Sequence, residues 1–385
     1  MLNANRYFKH QLKAYMRPMI IILAIVLLIG SGVCSINQDS ARDLHYSHER
    51  GEYVSADHKY YSDGGVRMTA KDLECYKIHD LMLGYPVIIM MIMCAVAPGW
   101  MFSIFKKKRN LDCFYSLPIS RRTLGMLQYG LGLIAVYLPF LLTYAQALLT
   151  NMSGGYFGNL GHKYILYHFL ISIAAGFVIY TLFAFVFNLA NSSGDGYIFM
   201  IAYQLVPVFL LGSVESTVRA YDRLTNPGVY TYYSFVDEGH ACSYTYFGEL
   251  LSDLCVKAER KYPEKYLDRS LADPEVWTFL VIWIIVGVLA LYGLYRVFGE
   301  KKAEQTEEMS ETVFGYKTLI PLCAVAGIIS GFGDDFYYGL MYFVAAVIGY
   351  TVYRRGVKYK KSDGIVLALL FAFNIMMSIV NYTMR

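Results

Sequence analysis

Charge is what this sequence has least of: Asp, Glu, Lys and Arg make up 17% of its 385 residues, while 56% are hydrophobic. A chain so apolar cannot hide its side chains in one or two soluble cores, so it needs lipid as its solvent. Catalytic signatures are also missing. No GxxxxGK[ST] loop occurs; Gly315, Tyr316, Lys317 and Thr318 come nearest and lack the glycine–lysine pair that cradles phosphates, which assigns any ATP hydrolysis to another chain. Neither HExxH nor GxSxG is present, which excludes the common membrane-protease chemistries. No His, Asp and Glu gather at one membrane depth, which argues against an enzyme acting on lipids. No catalytic residue, metal site or resident cofactor is expected.

The seven cysteines form no framework. Cys94 and Cys323 fall in apolar runs and Cys113 in a basic loop, which leaves two conceivable disulfides. Cys242 with Cys255 is one and Cys34 with Cys75 the other, and spacing fixes neither. His45, His48 and His58 lack the rigid spacing of a metal site, and adjacent Met90 and Met91 point around a helix rather than to one side of it. The carboxylates of Glu307 and Glu308 belong to a charged run that faces water.

What the chain does have is long apolar runs that are nearly free of charge, Arg296 near the end of one being the exception. A bilayer core of about 30 Å takes about 20 apolar residues per helix. Runs that fit are residues 18–36, 81–105, 124–149, 165–189, 197–213 and 276–298, followed by 319–332, 336–353 and 365–382. The last group opens with two short runs separated by Gly333, Asp334 and Asp335, so these read as a hairpin or a re-entrant pair. The expected class is therefore an all-α, polytopic membrane protein. The first apolar run follows a basic stretch as a signal peptide does, but it is long and lacks a small-residue cleavage site, so it reads as a retained span.

Basic residues in short loops mark the cytoplasmic side. They cluster at Arg6, Lys9, Lys13 and Arg17, at Lys106 to Arg109 with Arg121 and Arg122, at Arg296, Lys301, Lys302 and Lys317, and at Arg354 to Lys361. All share one side if the N-terminus is inside, which leaves the tyrosine-rich segments 37–80 and 214–275 outside and, with nine spans, the C-terminus outside too. Apolar and basic residues alternate at helical spacing before Pro18, so residues 1–17 read as a helix along the cytoplasmic interface, in contact with membrane lipid.

The most informative stretch is FKKKRNLDCFYSLPISRRTL, residues 105–124. Leu111, Phe114, Tyr115 and Leu117 share one side of a short helix that Pro118 ends, and Ser120 is placed to cap the next span. This stretch, with YRVFGEKKAEQTEE at 295–308, resembles the cytoplasmic segments of type-2 ATP-binding-cassette (ABC) exporter permeases, of the acetoin-utilisation and peptide-export kinds found in Gram-positive bacteria. The resemblance implies a six-span core over residues 18–298, a cytoplasmic linker at 299–317 and a C-terminal three-span region at 318–385. It further implies two partners: a separate ATP-binding-cassette ATPase subunit that binds the ATP, and a second permease, identical or homologous. By the same resemblance, Asp112, Leu117, Pro118, Ser120 and Arg121 belong to the first ATPase contact, and the loop holding Asn191 and Asp195 forms the second. The expected function is export or import of an amphiphilic or peptide-like cargo; the alternative is a membrane sensor or assembly factor that binds a ligand through its tyrosine-rich segments. No nucleic-acid partner is expected.

Overall fold

A computed structural model describes residues 2–49, 70–108, 110, 116, 118–153, 162–225, 242–257, 274–301, 308, 315–330, 336–354 and 356–384. Every regular element among them is helical: α1 (Leu2–Glu49), α2 (Ala70–Phe102) with a 3-10 turn (Ser103–Lys106), α3 (Arg121–Ser153), α4 (His162–Leu189), α5 (Ser193–Thr225), α6 (Ser243–Lys257), α7 (Pro274–Glu300), α8 (Tyr316–Ser330), α9 (Phe336–Tyr353) and α10 (Lys361–Met384). Among the described residues, 7 helices are long and apolar enough to cross a membrane, in α1, α2, α3, α4, α5, α7 and α10. The chain is a polytopic, all-α membrane protein. Isoleucines and leucines on outward faces, such as Ile21 and Leu28 of α1 or Leu289 of α7, are mostly exposed, as lipid-facing positions should be.

The two short apolar runs form separate helices. At about 1.5 Å per residue, the 15-residue α8 is only about 22 Å long, less than the bilayer core. Two boundaries differ from the sequence reading. The segment before Pro18 is not a separate element, because α1 continues through that proline; Tyr15 lies edge-on to Trp100 at 5.7 Å and its hydroxyl accepts from Gln128 Nε2 at 3.2 Å. Likewise, α1 runs past its apolar stretch to Glu49, through a polar sequence free of glycine and proline beyond Gly32.

Two compact units make up the chain. The first comprises Met1–Met101, Pro118–Thr181 and Phe247–Ala290. Its interior is held by close approaches and by neutral hydrogen bonds. Tyr85 Oη donates to the Val26 carbonyl, Tyr137 Oη to the Ile173 carbonyl at 2.7 Å, and Tyr129 pairs with Thr181 Oγ1 at 2.7 Å. Tyr180 stacks on Tyr129 with ring centroids 5.2 Å apart, over Gly132, where a Cβ would meet the Tyr180 hydroxyl at 1.8 Å. Among the described residues, the buried polar ones here are Gln128, Thr143, His168, Ser172 and Thr181, with no acid, lysine or arginine among them.

The second unit comprises Phe102–Leu117, Leu182–Tyr246 and Leu291–Arg385. In it α5 packs on α8, and α8, α9 and α10 pack on one another around Ala324, Ala346 and Leu370. Small residues let these helices meet closely. A Cβ on Gly327 would strike the Tyr342 ring at 2.3 Å, and one on Gly339 would strike Asn374 Oδ1 at 1.9 Å. The bend between α9 and α10 is fixed by a two-pronged ion pair, Arg354 Nε to Asp363 Oδ2 at 2.7 Å and Nη2 to Oδ1 at 2.9 Å. Asp363 also accepts from the Lys360 backbone N–H at 3.1 Å, which caps α10.

Candidate functional site

The helical hairpin from α4 to α5 is the best-defined polar site in the second unit. An α-helix leaves its last carbonyls without partners, and positive side chains near that end supply donors and complement the helix dipole. Two lysines do so here. Lys106, from the 3-10 turn after α2, donates to the Phe187 carbonyl at 3.1 Å and to the Ala190 carbonyl; Lys301, just past α7, donates to the Asn188 carbonyl at 3.0 Å and to the same Ala190 oxygen. The Lys106 ammonium also lies 5.2 Å from the centre of the Phe187 ring.

On the other side of the turn, the Ser192 hydroxyl accepts from the Asp195 backbone N–H at 3.1 Å and so caps α5. Gly196 lets the first turn of α5 lie against Phe187, whose ring a Cβ there would meet at 2.6 Å. Tyr316, the first residue of α8, donates from its hydroxyl to Asp195 Oδ1 at 2.7 Å and packs edge-on against Phe199 at 5.0 Å. Three separated stretches of sequence thus converge on one turn.

The electrostatics of this cluster are unusual. Lys106 is 3% exposed. Both lysine Nζ atoms share the Ala190 oxygen, which brings the two amines close together. Burial holds the Lys301 ammonium below its ordinary value. Two full charges about 4 Å apart would repel by about 4 kcal/mol at an effective dielectric constant of 20.

Of the residues assigned to ATPase contact, Asn191 and Asp195 belong to this site. Asn191 is buried, so the outward surface of the turn is provided by Gly194, which is exposed. Ser120 caps α3 as the sequence predicts: its hydroxyl accepts from the Thr123 N–H at 3.2 Å, beside exposed Pro118 and Arg121. Asp112 and Leu117 lie outside the described residues, as does His58. Lys106, Lys301 and Tyr316 were not singled out by sequence reasoning beyond their charge and position. The signal available was that each lysine is the first basic residue after an apolar run.

The Cys242–Cys255 disulfide is corrected. Cys242 precedes α6 and Cys255 lies within it, so about 1.5 Å of rise per residue separates them far beyond the 7 Å limit on Cα distance for a disulfide. Cys242 is instead a free thiol that donates to the Gln204 carbonyl at 2.8 Å. The side chains of Cys34 and Cys75 lie outside the described residues.

No family model, curated protein or solved structure matches the chain.

Proposed function

We propose that this chain is the transmembrane permease subunit of an ATP-binding-cassette transporter, with ATP hydrolysed by a separate subunit and the permease working as a pair with an identical or homologous chain. The observation that carries the reading is the bracing of the turn at residues 190–196. This is where the resemblance to type-2 exporters puts an ATPase contact, and the turn is tied by buried and part-buried hydrogen bonds to the basic end of α2, to the end of α7 and to the start of α8. A turn anchored on three elements can pass a push from outside into the helices that it joins, whereas a loose loop would absorb it.

In this reading α1, α2, α3, α4, α5 and α7 form the six-span core, and α8, α9 and α10 form the tail. The ends bearing Lys106, Lys301 and Lys358 face the cytoplasm of the cell membrane, as basic loops do. Neutral polar side chains such as Gln128 and Gln146, rather than charges, line the spans. Such spans suit an amphiphilic or peptide-like cargo better than an ion.

Affinity purification of the tagged chain in mild detergent from its native membrane, with mass spectrometry of its companions, tests the proposal. A stoichiometric ATPase bearing a Walker motif is the expected result. A complex that is intact by size, with other companions and reproducibly no ATPase, would overturn it in favour of the membrane sensor.

A further inference from the structure

No acid occurs in the sequence before Asp39, while Arg6, Lys9, Lys13 and Arg17 follow one another at steps of three, four and four residues. At about 3.6 residues per turn, such steps set all four on one side of α1. All four are exposed. The other side of the same turns carries the half-buried Tyr7, Leu12 and Tyr15, of which Tyr15 packs on Trp100 and is bonded to Gln128. The basic stripe therefore points away from the helices that α1 packs against. It also continues into the membrane. Because α1 runs through Pro18 without a break, the same rhythm of threes and fours carries on to Ile20, Ala24 and Leu28, which are exposed too, Leu28 at 71%. The stripe is thus the end of the face that lies against lipid, and a partner protein could reach it only from the lipid side.

We propose that this stripe is a binding site for anionic phospholipid headgroups, in the leaflet at the N-terminal end of α1, which is the cytoplasmic leaflet in the orientation proposed above. The dimensions fit. At about 1.5 Å of rise per residue, Lys13 lies about 6 Å and Lys9 about 12 Å before Arg17 along the helix axis. Headgroups form a layer about 5–7 Å deep on each side of the hydrocarbon core. With Arg17 at the edge of the core, Lys13 stands inside that layer, and Lys9 lies within a Debye length of about 8 Å beyond it. The chemistry fits as well. The planar Arg17 guanidinium can hold two oxygens of one phosphodiester, while the lysine ammoniums act as point charges on the same or a neighbouring phosphate. A headgroup with net negative charge is preferred to a zwitterionic one, whose own cation the stripe repels. The proposal needs only that α1 spans the membrane; it does not need an ATPase, so it and the permease reading fail separately.

Photo-crosslinking measures the lipid beside the stripe directly. The photoreactive residue p-benzoylphenylalanine replaces Ile20 in the full chain, reconstituted in vesicles of equal parts phosphatidylglycerol and phosphatidylcholine, and mass spectrometry gives the ratio of the two lipid adducts. The same residue in place of Val281, exposed on α7, reports the bulk ratio. Each basic residue near the surface favours an anionic lipid by about fivefold, so the phosphatidylglycerol ratio at Ile20 should exceed that at Val281 by at least about fivefold. Lys13→Gln with Arg17→Gln should bring it down to the Val281 value. Equal ratios at the two positions in the wild type, as expected if the charges only orient the chain, would overturn the proposal, as would an enrichment that survives the double substitution. If the double variant does not insert, salt decides: about 0.5 M salt should remove most of the wild-type enrichment, and an enrichment indifferent to salt would refute the site. The same probe at His10 in native membranes should give lipid adducts; a protein adduct in their place would overturn the proposal in favour of an acidic protein surface.

Discussion

Replacing Gly339 by alanine should destabilise the α8–α10 bundle, although alanine is the better helix former. The three atoms nearest to a Cβ at this position all belong to Asn374: Oδ1 at 1.9 Å, Cγ at 2.9 Å and Nδ2 at 3.5 Å. Asn374 is buried, so its amide has no solvent to swing into. Overpacking of this sort costs about 1–3 kcal/mol, from which the helix propensity of alanine recovers at most about 1. A net loss of about 1–2 kcal/mol follows. The Asn374 Nδ2 has no hydrogen-bond partner, so Asn374→Ala removes an unsatisfied group and should cost about 1 kcal/mol or less. The double variant should then be no less stable than Asn374→Ala alone, because the new methyl occupies the vacated space. Gly364→Ala is the control, since nothing lies within 4 Å of its Cβ position, and it should be neutral or stabilising. Unfolding in mixed micelles of rising dodecyl sulfate content, followed by far-UV circular dichroism, measures all four. A Gly339→Ala protein as stable as the wild type, or a double variant as weak as Gly339→Ala, would refute the close approach of α9 and α10.

Asp363→Asn should lower stability by about 3–5 kcal/mol in the same assay, because it strands a buried arginine whose side chain is 9% exposed. Tyr316→Phe keeps the ring against Phe199 and Tyr353 but loses a hydrogen bond to a carboxylate; we expect a loss of about 1.5–3 kcal/mol, and an unchanged melting curve would show that Asp195 is satisfied without it. Cysteines replacing Lys107 and Lys358 should react with an impermeant maleimide only after permeabilisation, and one replacing Tyr244 should react before it. The opposite pattern would invert the proposed orientation.

Much of the architecture was legible because a bilayer imposes one simple requirement, a long apolar helix, that composition meets visibly. The cap at Ser120 was legible for a similar reason, since a hydroxyl before a helical run has one favoured use. The lysines were not. Lys106 and Lys301 stand among exposed basic neighbours, where charge ordinarily faces water, and only the fold brings the open carbonyls of α4 to them. Residues 1–17 read as a separate element because their apolar and basic residues differ from the apolar run that follows, yet α1 continues through Pro18, with Tyr15 packed on Trp100 just before it. The Cys242–Cys255 pairing was conceivable in the sequence because spacing alone does not show whether the intervening chain turns back, and as the helix α6 it does not.

Among the described residues, the buried interior of the first unit holds no acid, lysine or arginine, and this has an electrical consequence. Moving one elementary charge through a membrane potential of 100 mV changes the free energy by about 2.3 kcal/mol. Helices that slide past one another on Tyr129, Thr181, Tyr180 and Gln128 carry no formal charge through that field. A rearrangement confined to these contacts would therefore be electrically silent, running at the same rate in an energised membrane as in a depolarised one.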